Sequence, residues 1–148
     1  MSAVAQPVYA FETSAVVAAL LSWHERHESA RESLERALDG ATRPILPFHA
    51  LIESYAVLTR LPPPHRLSPV DTIGILRTSF AEAARVAGVP PGSSWGFLAD
   101  LAGRGVAGGR AYDELILATA LRAGATHLIT LNPRHFDAER IEVVVPGG

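Results

Sequence analysis

The chain has 148 residues, 48% of them apolar, which is enough to form the core of one ordinary domain; we expect that domain to cover residues 1–148. The formal net charge of −2 excludes a broad basic surface, so the sequence disfavours a protein that coats nucleic acid but allows one local RNA site. Cysteine is absent, which excludes disulfides and thiolate metal sites. With no basic leader and no apolar run long enough to cross a bilayer, we expect a cytoplasmic protein that does not contact membranes.

Short apolar runs alternate with helical patterns along the chain. In chain order the sequence predicts strand 8–11, helix 15–23, helix 24–40, strand 43–46, helix 48–61, a helix and a short strand within 70–88, helix 93–105, helix 112–124, strand 127–131 and strand 141–145. Thr13 and Ser14 offer an N-cap for the first helix, and Gly40 and Gly124 follow helices in the usual C-terminal place. Strands that alternate with helices predict a mostly parallel sheet of about four to five strands, covered by helices on both faces.

Four acid or amide residues stand where such a fold would gather them. Glu12 follows the first strand, Glu53 lies in the helix after the second, Asp113 opens the helix 112–124, and Asn132 follows the strand 127–131. In open α/β sheets, ligands bind at the carboxyl ends of the strands. Carboxylate and amide oxygens suit Mg²⁺ or Mn²⁺, and the lack of cysteine and the scattered histidines argue against zinc. The four residues together predict a site for a hard divalent cation.

Each of these residues also has a purely structural explanation. Asp113 would be favoured by the dipole of its own helix, and Asn132 begins a common Asn-Pro turn. Helical phase puts Glu53 on a line with His49, opposite Phe48, where it would form a surface pair of the i, i+4 type. The case for a site therefore depends on all four residues coming together.

The chain resembles the PIN-domain ribonucleases, and within them the VapC-type toxins of bacterial toxin-antitoxin pairs. The resemblance covers nearly the whole chain and is carried by FETSAVVAAL (11–20), WHERHE (23–28), PFHALIESYAVLTRLP (47–62) and, most specifically, GRAYDELILATALRAGATHLITLNPRHF (109–136). It implies one PIN-like α/β domain that cleaves RNA with the help of Mg²⁺ or Mn²⁺. It also implies a small cognate antitoxin that occludes the site.

The resemblance assigns roles to residues one by one. Glu53, Asp113 and Asn132 match the second, third and fourth acidic or amide positions of the family, and Glu12 stands in the first. The catalytic set is then Glu12, Glu53, Asp113 and Asn132, with Glu12 and Asp113 as metal ligands, Thr13, Ser14 and Thr130 as polar neighbours in the pocket, and Arg110 and Arg134 as holders of RNA phosphates. Asp113 is our candidate for the carboxylate that accepts a proton from the attacking water.

Position 12 departs from the family, which usually has Asp before Thr-Ser. The additional methylene of Glu12 moves the carboxylate by roughly 1.5 Å, and a misplacement of about 1 Å in a catalytic constellation can reduce the rate about 10²-fold. Two hypotheses follow. Either the protein is a weakened or inactive PIN-fold protein that still binds RNA and antitoxin, or the local backbone adjusts to keep the ligand in place.

Two motifs point elsewhere. The segment GRGVAG (103–108) matches the dinucleotide fingerprint G-x-G-x-x-G, and a generic nucleotide-binding module is a third hypothesis. We interpret the segment as a loop, because it follows a helix and not the first strand of a βαβ unit. His24 and His27 resemble a zinc-protease helix only superficially, since position 28 is Glu; we expect a polar helix start or a contact at the rim of the RNA site.

The helices carry more apolar residues than a small sheet should cover. The run AVVAALL (15–21) and the region Phe80–Val89 are the main examples. Large exposed apolar patches mark interfaces. We therefore expect a homodimer that also accepts an antitoxin helix in a groove.

Overall fold

A computed structural model describes residues 6–148 and contains one sheet of five parallel strands. The strands are β1 (Tyr9–Phe11), β2 (Ile45–Pro47), β3 (Arg85–Ala87), β4 (His127–Ile129) and β5 (Glu142–Val144), in the spatial order β3-β2-β1-β4-β5. Ala10 of the central strand pairs with Ile45 on one side and Leu128 on the other. The direction of the strand order reverses between β1 and β4, and this is the edge at which α/β sheets bind ligands.

Within residues 6–148, six α-helices connect and cover the strands. They are α1 (Thr13–Leu20), α2 (His27–Leu38), α3 (Phe48–Thr59), α4 (Pro69–Phe80), α5 (Ser94–Gly103) and α6 (Arg110–Arg122). The strand residues Ala10, Ile45 and Leu128 are fully buried, as apolar residues of a sheet with helices on both faces must be. The predicted mostly parallel α/β fold is therefore confirmed, including the short strand β3 in the region 70–88.

The start of α1 differs from the prediction. Glu12, and not Thr13 or Ser14, is the N-cap residue: it has extended backbone geometry, and its side chain accepts a hydrogen bond from the Ser14 backbone N–H. Short side chains normally do this, and a glutamate can do so only by folding back on itself. One of the proposed metal ligands thus also begins a helix.

The prediction that AVVAALL would be an exposed apolar surface is wrong. Ala15, Val16, Ala18 and Ala19 are almost completely buried, because α1 packs between the sheet, α2 and α3. In the region 80–89, Phe80 is also buried, and of its large apolar side chains only Val86 is strongly exposed. Exposed apolar side chains occur instead on α3, α4 and α5, with Phe48, Ile52, Val70, Ile73, Trp95 and Leu98 as the main examples.

The segment GRGVAG forms the turn between α5 and α6, as predicted, and does not follow a strand. Gly105 and Gly108 both have positive φ, which accounts for glycine at these two positions without any nucleotide. No helix within residues 6–148 is long and apolar enough to cross a membrane.

Candidate active site

Glu12 lies directly after β1, and the residue is only 5% exposed. Oε2 accepts the Ser14 backbone N–H at 2.9 Å, while Oε1 accepts the hydroxyl groups of Ser14 and Thr130. Buried carboxylates are stable only when their oxygens are paired in this way. Glu12 therefore has three protein donors and retains limited capacity for a further ligand.

The two hydroxyl groups also fix the neighbouring strand end. Ser14 Oγ accepts the Leu131 backbone N–H, and Thr130 Oγ1 accepts the Asn132 backbone N–H, both at 2.9 Å. The chain that leaves β4 is thereby joined to the chain that leaves β1. This network places the Ser14 and Thr130 hydroxyl groups against Glu12 and sets the position from which Asn132 projects.

A pocket of about 360 Å³ opens above this network. Its walls are formed by Glu12, Thr13, Ser14, Val17, His24, Glu53, Val57, Leu131 and Asn132. Three of the four predicted catalytic residues thus share one pocket. His24, from the WHERHE segment, lies at its wall, and its contact with RNA stays a prediction.

Glu53 faces this pocket from α3. Its carboxylate is 3.5 Å from His49 Nε2, which confirms the predicted i, i+4 pair, and His49 stacks on Tyr112 of α6 with ring centroids 5.0 Å apart. Helical periodicity alone favoured a surface position for this pair, but Glu53 lines the pocket. Glu53 is half-buried, while Phe48 and Ile52 on the other side are about half exposed. The reason is tertiary: the His49 side of α3 packs toward α6, and periodicity alone cannot show this.

Asp113 lies in the first turn of α6 with 26% of its side chain exposed. It lines a second pocket, of about 640 Å³, with Gly109, Arg110, Arg134 and His135. Its carboxylate is 3.5 Å from His135 Nδ1. Burial raises the pKa of Asp113, and the charges of Glu12 and Glu53 raise it further, against the opposing effects of His135 and Arg110. The charges of Glu12 and Glu53 therefore act on Asp113, although Asp113 lines the neighbouring pocket.

The residues fit a divalent cation in chemistry but do not form a closed cage. Within residues 6–148, no group of three or more acidic, histidine or cysteine side chains is close enough to hold an ion as the side chains stand. Two observations nevertheless favour a cation. Three carboxylates raise the local negative charge, as the pKa of Asp113 shows, and the buried Thr13 hydroxyl has no hydrogen-bond partner in the described chain. A hydrated cation would relieve both conditions.

Sequence reasoning missed a charged cluster next to Asp113. Glu114 is 8% exposed and accepts hydrogen bonds from Arg104 and Arg140 at 3.0 and 2.9 Å. Burial raises the pKa of Glu114, but these two hydrogen bonds and the charges of Arg104 and Arg140 together lower it by more, so its pKa lies below the ordinary value. A glutamate among buried apolar positions was the signal that a partner must exist.

Comparison with known proteins now defines the class of protein. Residues 9–141 match the family model of the PIN domain, and the chain belongs to this family.

Within the family, the chain belongs to the VapC-type ribonucleases. It is 38% identical over 135 residues to Ribonuclease VapC40 of Mycobacterium tuberculosis, in both strain CDC 1551 / Oshkosh and strain ATCC 25618 / H37Rv, and the alignment covers 90% of this chain and 94% of that protein.

Solved structures agree on the fold. Mycobacterium tuberculosis VapC20, described as a sarcin-ricin loop cleaving toxin, superimposes with a TM-score of 0.64 over 89% of this chain and 92% of its own, at 16% identity. A chain of FitAB bound to the IR36 DNA fragment gives a TM-score of 0.59 over 94% and 95%, also at 16% identity. At this identity the likeness shows the fold alone.

Proposed function

We propose that the protein is a divalent-metal-dependent endoribonuclease toxin that a cognate antitoxin neutralises. The observation that carries the proposal is the convergence of Glu12, Glu53 and Asn132 on one pocket, with Asp113 in the neighbouring pocket, where burial and the charges of Glu12 and Glu53 raise its pKa. Three carboxylates from β1, α3 and α6 thus act on one another at the carboxyl edge of a parallel sheet. Membership of the VapC-type ribonucleases supports RNA as the substrate.

Glu12 and Asp113 would hold the ion, with Glu53 and Asn132 facing it. Their hard oxygen donors suit Mg²⁺ or Mn²⁺. When bound, the ion would polarise the scissile phosphodiester and make a bound water more acidic. The unpaired Thr13 hydroxyl would accept a hydrogen bond in the same pocket.

The side chains of the protein would do the remaining work. Asp113 would accept the proton of the attacking water. Arg110 and Arg134 line the same pocket as Asp113, and their guanidinium groups would hold phosphate oxygens in position. Glu12 would keep the reacting groups in register, because its hydrogen bonds tie β1 to β4.

The antitoxin would bind at the exposed apolar side of α3. Phe48 and Ile52 line a pocket of about 320 Å³ together with Gly88 and Val89, and His49, the partner of Glu53, forms part of its wall. An amphipathic helix in this groove would lie beside the acidic site, where one of its basic side chains would occlude the carboxylates. A homodimer would cover exposed apolar residues elsewhere, of which Val70 and Trp95 are the most exposed.

A cleavage assay on RNA with Mg²⁺, with Mn²⁺ and with EDTA tests the proposal. Cleavage should need the metal, and Asp113→Asn should reduce it by about 10²–10⁴-fold, the usual contribution of a general base. Asp39→Asn is the matched control, since Asp39 is exposed at the end of α2 and should leave the rate unchanged. Cleavage that persists in EDTA, or in a folded Asp113→Asn protein, would remove the site from the reaction.

A second candidate function has specific support. The carboxylate of Glu12 already has three protein donors, and no closed cluster of ligands is present in residues 6–148. These observations favour a catalytically weakened PIN-fold protein that still binds RNA and antitoxin. A time course under single-turnover conditions separates the two functions, because the weakened protein would bind RNA without cleaving it.

A further inference from the structure

A second charged pocket lies beside the acidic site. It has a volume of about 580 Å³ and is lined by Asp100, Arg104, Arg110, Glu114, Arg134, His135, Phe136, Asp137 and Arg140. We call it the arginine pocket. It contains four of the 13 basic residues of the chain, although the whole chain has a net charge of −2. Such a concentration of arginine is a local feature and does not follow from the composition.

Glu114 holds two of these arginines in place. Its Oε2 accepts Arg104 Nη2 at 3.0 Å and Arg140 Nη1 at 2.9 Å, and only 11% of its side chain is exposed. Because the carboxylate is buried in the first turns of α6, it can fix the guanidinium groups at low cost in side-chain entropy. Arg104 is also anchored by Asp100 through two hydrogen bonds.

Arg140 retains donors that are free for a ligand. Within residues 6–148 its side chain uses only Nη1, and about a third of it is exposed. A guanidinium group has five N–H donors in a fixed fork that matches the oxygens of a phosphate. Arg110 and Arg134 donate no side-chain hydrogen bond to another described residue, so they too are available.

The arginine pocket is continuous with the Asp113 pocket. Arg110, Arg134 and His135 line both. Asp113 and Glu114 are consecutive residues of α6 and face the two pockets from the same turn. A single strand whose scissile phosphate lies at Asp113 would therefore carry its neighbouring phosphates past Arg110 and Arg134 toward Arg140.

We propose that the arginine pocket is a second phosphate subsite, which binds the RNA backbone next to the scissile phosphate. Arg140 is the principal donor, Arg104 assists it, and Glu114 is a positioning residue that fixes both. The proposal rests on the proposed function, since the ligand is the same RNA strand. Phosphate contacts of this kind set register and affinity without reading sequence.

RNA binding measured without metal tests the subsite separately from cleavage. The probe is a short fluorescein-labelled single-stranded RNA in EDTA, and fluorescence anisotropy is recorded over a series of NaCl concentrations. Arg140→Gln should weaken binding about tenfold, as expected for a lost hydrogen bond to a charged group. It should also reduce the slope of log affinity against log salt by about 0.7, the value for one phosphate of a single strand.

Arg77→Gln is the matched control. Arg77 is exposed on α4, forms no ion pair in the described residues and lines none of the pockets discussed above, and the substitution changes the net charge by the same amount. It should leave both affinity and slope unchanged. Glu114→Gln tests the positioning role: binding should weaken although the protein becomes more positive, because the two arginines lose their anchor.

The outcomes separate the subsite from the proposed function. Equal effects of Arg140→Gln and Arg77→Gln, with cleavage that still needs metal and Asp113, would overturn the subsite and leave the function standing. Tighter binding by Glu114→Gln would show that Glu114 only repels RNA and would overturn its positioning role. A salt slope that depends on Arg140 in a protein that never cleaves RNA would support the subsite and remove the nuclease function.

Discussion

The acidic site and the arginine pocket begin at consecutive residues and have opposite electrostatics. Asp113 has His135 Nδ1 at 3.5 Å and the charge of Arg110 nearby, yet burial and the charges of Glu12 and Glu53 raise its pKa. Glu114 is more deeply buried than Asp113, yet its pKa is lowered because it accepts hydrogen bonds from two arginines. The same helix turn thus carries one carboxylate, Glu114, whose charged form the protein stabilises, and one, Asp113, whose charged form it disfavours.

The difference teaches where to look for function in this fold. A carboxylate whose charge is neutralised by ion pairs is a structural or positioning group, because the ion pairs favour one arrangement of the side chains. A carboxylate without such partners lowers the stability of the fold and persists where a bound ligand supplies the opposite charge. Glu12 is intermediate, because it is compensated by hydroxyl and amide donors but by no cation.

Apart from the loss of cleavage in Asp113→Asn, the largest effect should come from changing Glu12 on the acidic side. Because its carboxylate is held by Ser14 and Thr130, the surroundings are adapted to glutamate, and Glu12→Asp should withdraw the oxygens from Thr130. We expect cleavage to fall about 10-fold to 10²-fold. Glu28→Asp, at an exposed position early in α2, is the control. A rise in cleavage would instead show that Glu12 is a misplaced ligand.

Most of the fold follows from local patterns in the sequence. β1, β2 and β4 lie in short apolar runs, and α2, α3 and α6 end shortly before Gly40, Pro62 and Gly124. The N-cap of α1 was missed because glutamate rarely caps a helix. Here Glu12 does so because Thr130, from the distant strand β4, holds its other oxygen.

The acidic residues of the candidate site could be predicted from the sequence, but the residues that pair with nearby acidic side chains could not. Glu12, Glu53 and Asn132 share a pocket because parallel strands bring their carboxyl ends together. The pairing of Glu114 with Arg104 and Arg140 joins positions 10 and 26 residues apart, and no periodic pattern links them. The exposure of Phe48 was likewise hidden, since periodicity separates two faces of a helix but does not say which one is covered.

On the arginine side, Glu114→Gln should lower the free energy of unfolding at neutral pH by about 1–3 kcal/mol, the range for a lost hydrogen bond to a charged group. The pKa of Glu114 is lowered, so its stabilising contribution is present above the ordinary value of 4.5 and is lost as the pH falls through the folded-state pKa. The difference between variant and wild type should therefore shrink below about pH 4.5. Urea unfolding at several pH values measures it.

Glu35→Gln is a suitable control for this experiment. Glu35 pairs with Arg31 on the exposed face of α2, and exposed pairs contribute little. Its effect should be smaller than that of Glu114→Gln at every pH. Equal effects would show that the Glu114 network does not stabilise the fold and would weaken the contrast between the two pockets.

The smallest effect, and the opposite sign, should appear at Asp113. Its pKa is raised above the ordinary value of 3.8. Between pH 3.8 and the folded-state pKa, the folded state therefore binds more protons than the unfolded state. Stability then falls as the pH rises through this window, and the full cost is present at neutral pH. Asp113→Asn removes the charge with little change in volume. Without metal, the variant should be slightly more stable than wild type at neutral pH, and the difference should vanish below about pH 3.8.

Added metal should reverse the order of stability of the two proteins, so that wild type becomes more stable than Asp113→Asn. Mg²⁺ or Mn²⁺ binds the folded wild-type protein and raises its melting temperature by mass action, while Asp113→Asn has lost a ligand and should respond less. Thermal unfolding of both proteins with EDTA and with each metal measures the two effects together. If Asp113→Asn is less stable than wild type in EDTA, the carboxylate is compensated after all. The raised pKa would then no longer identify the centre of the site.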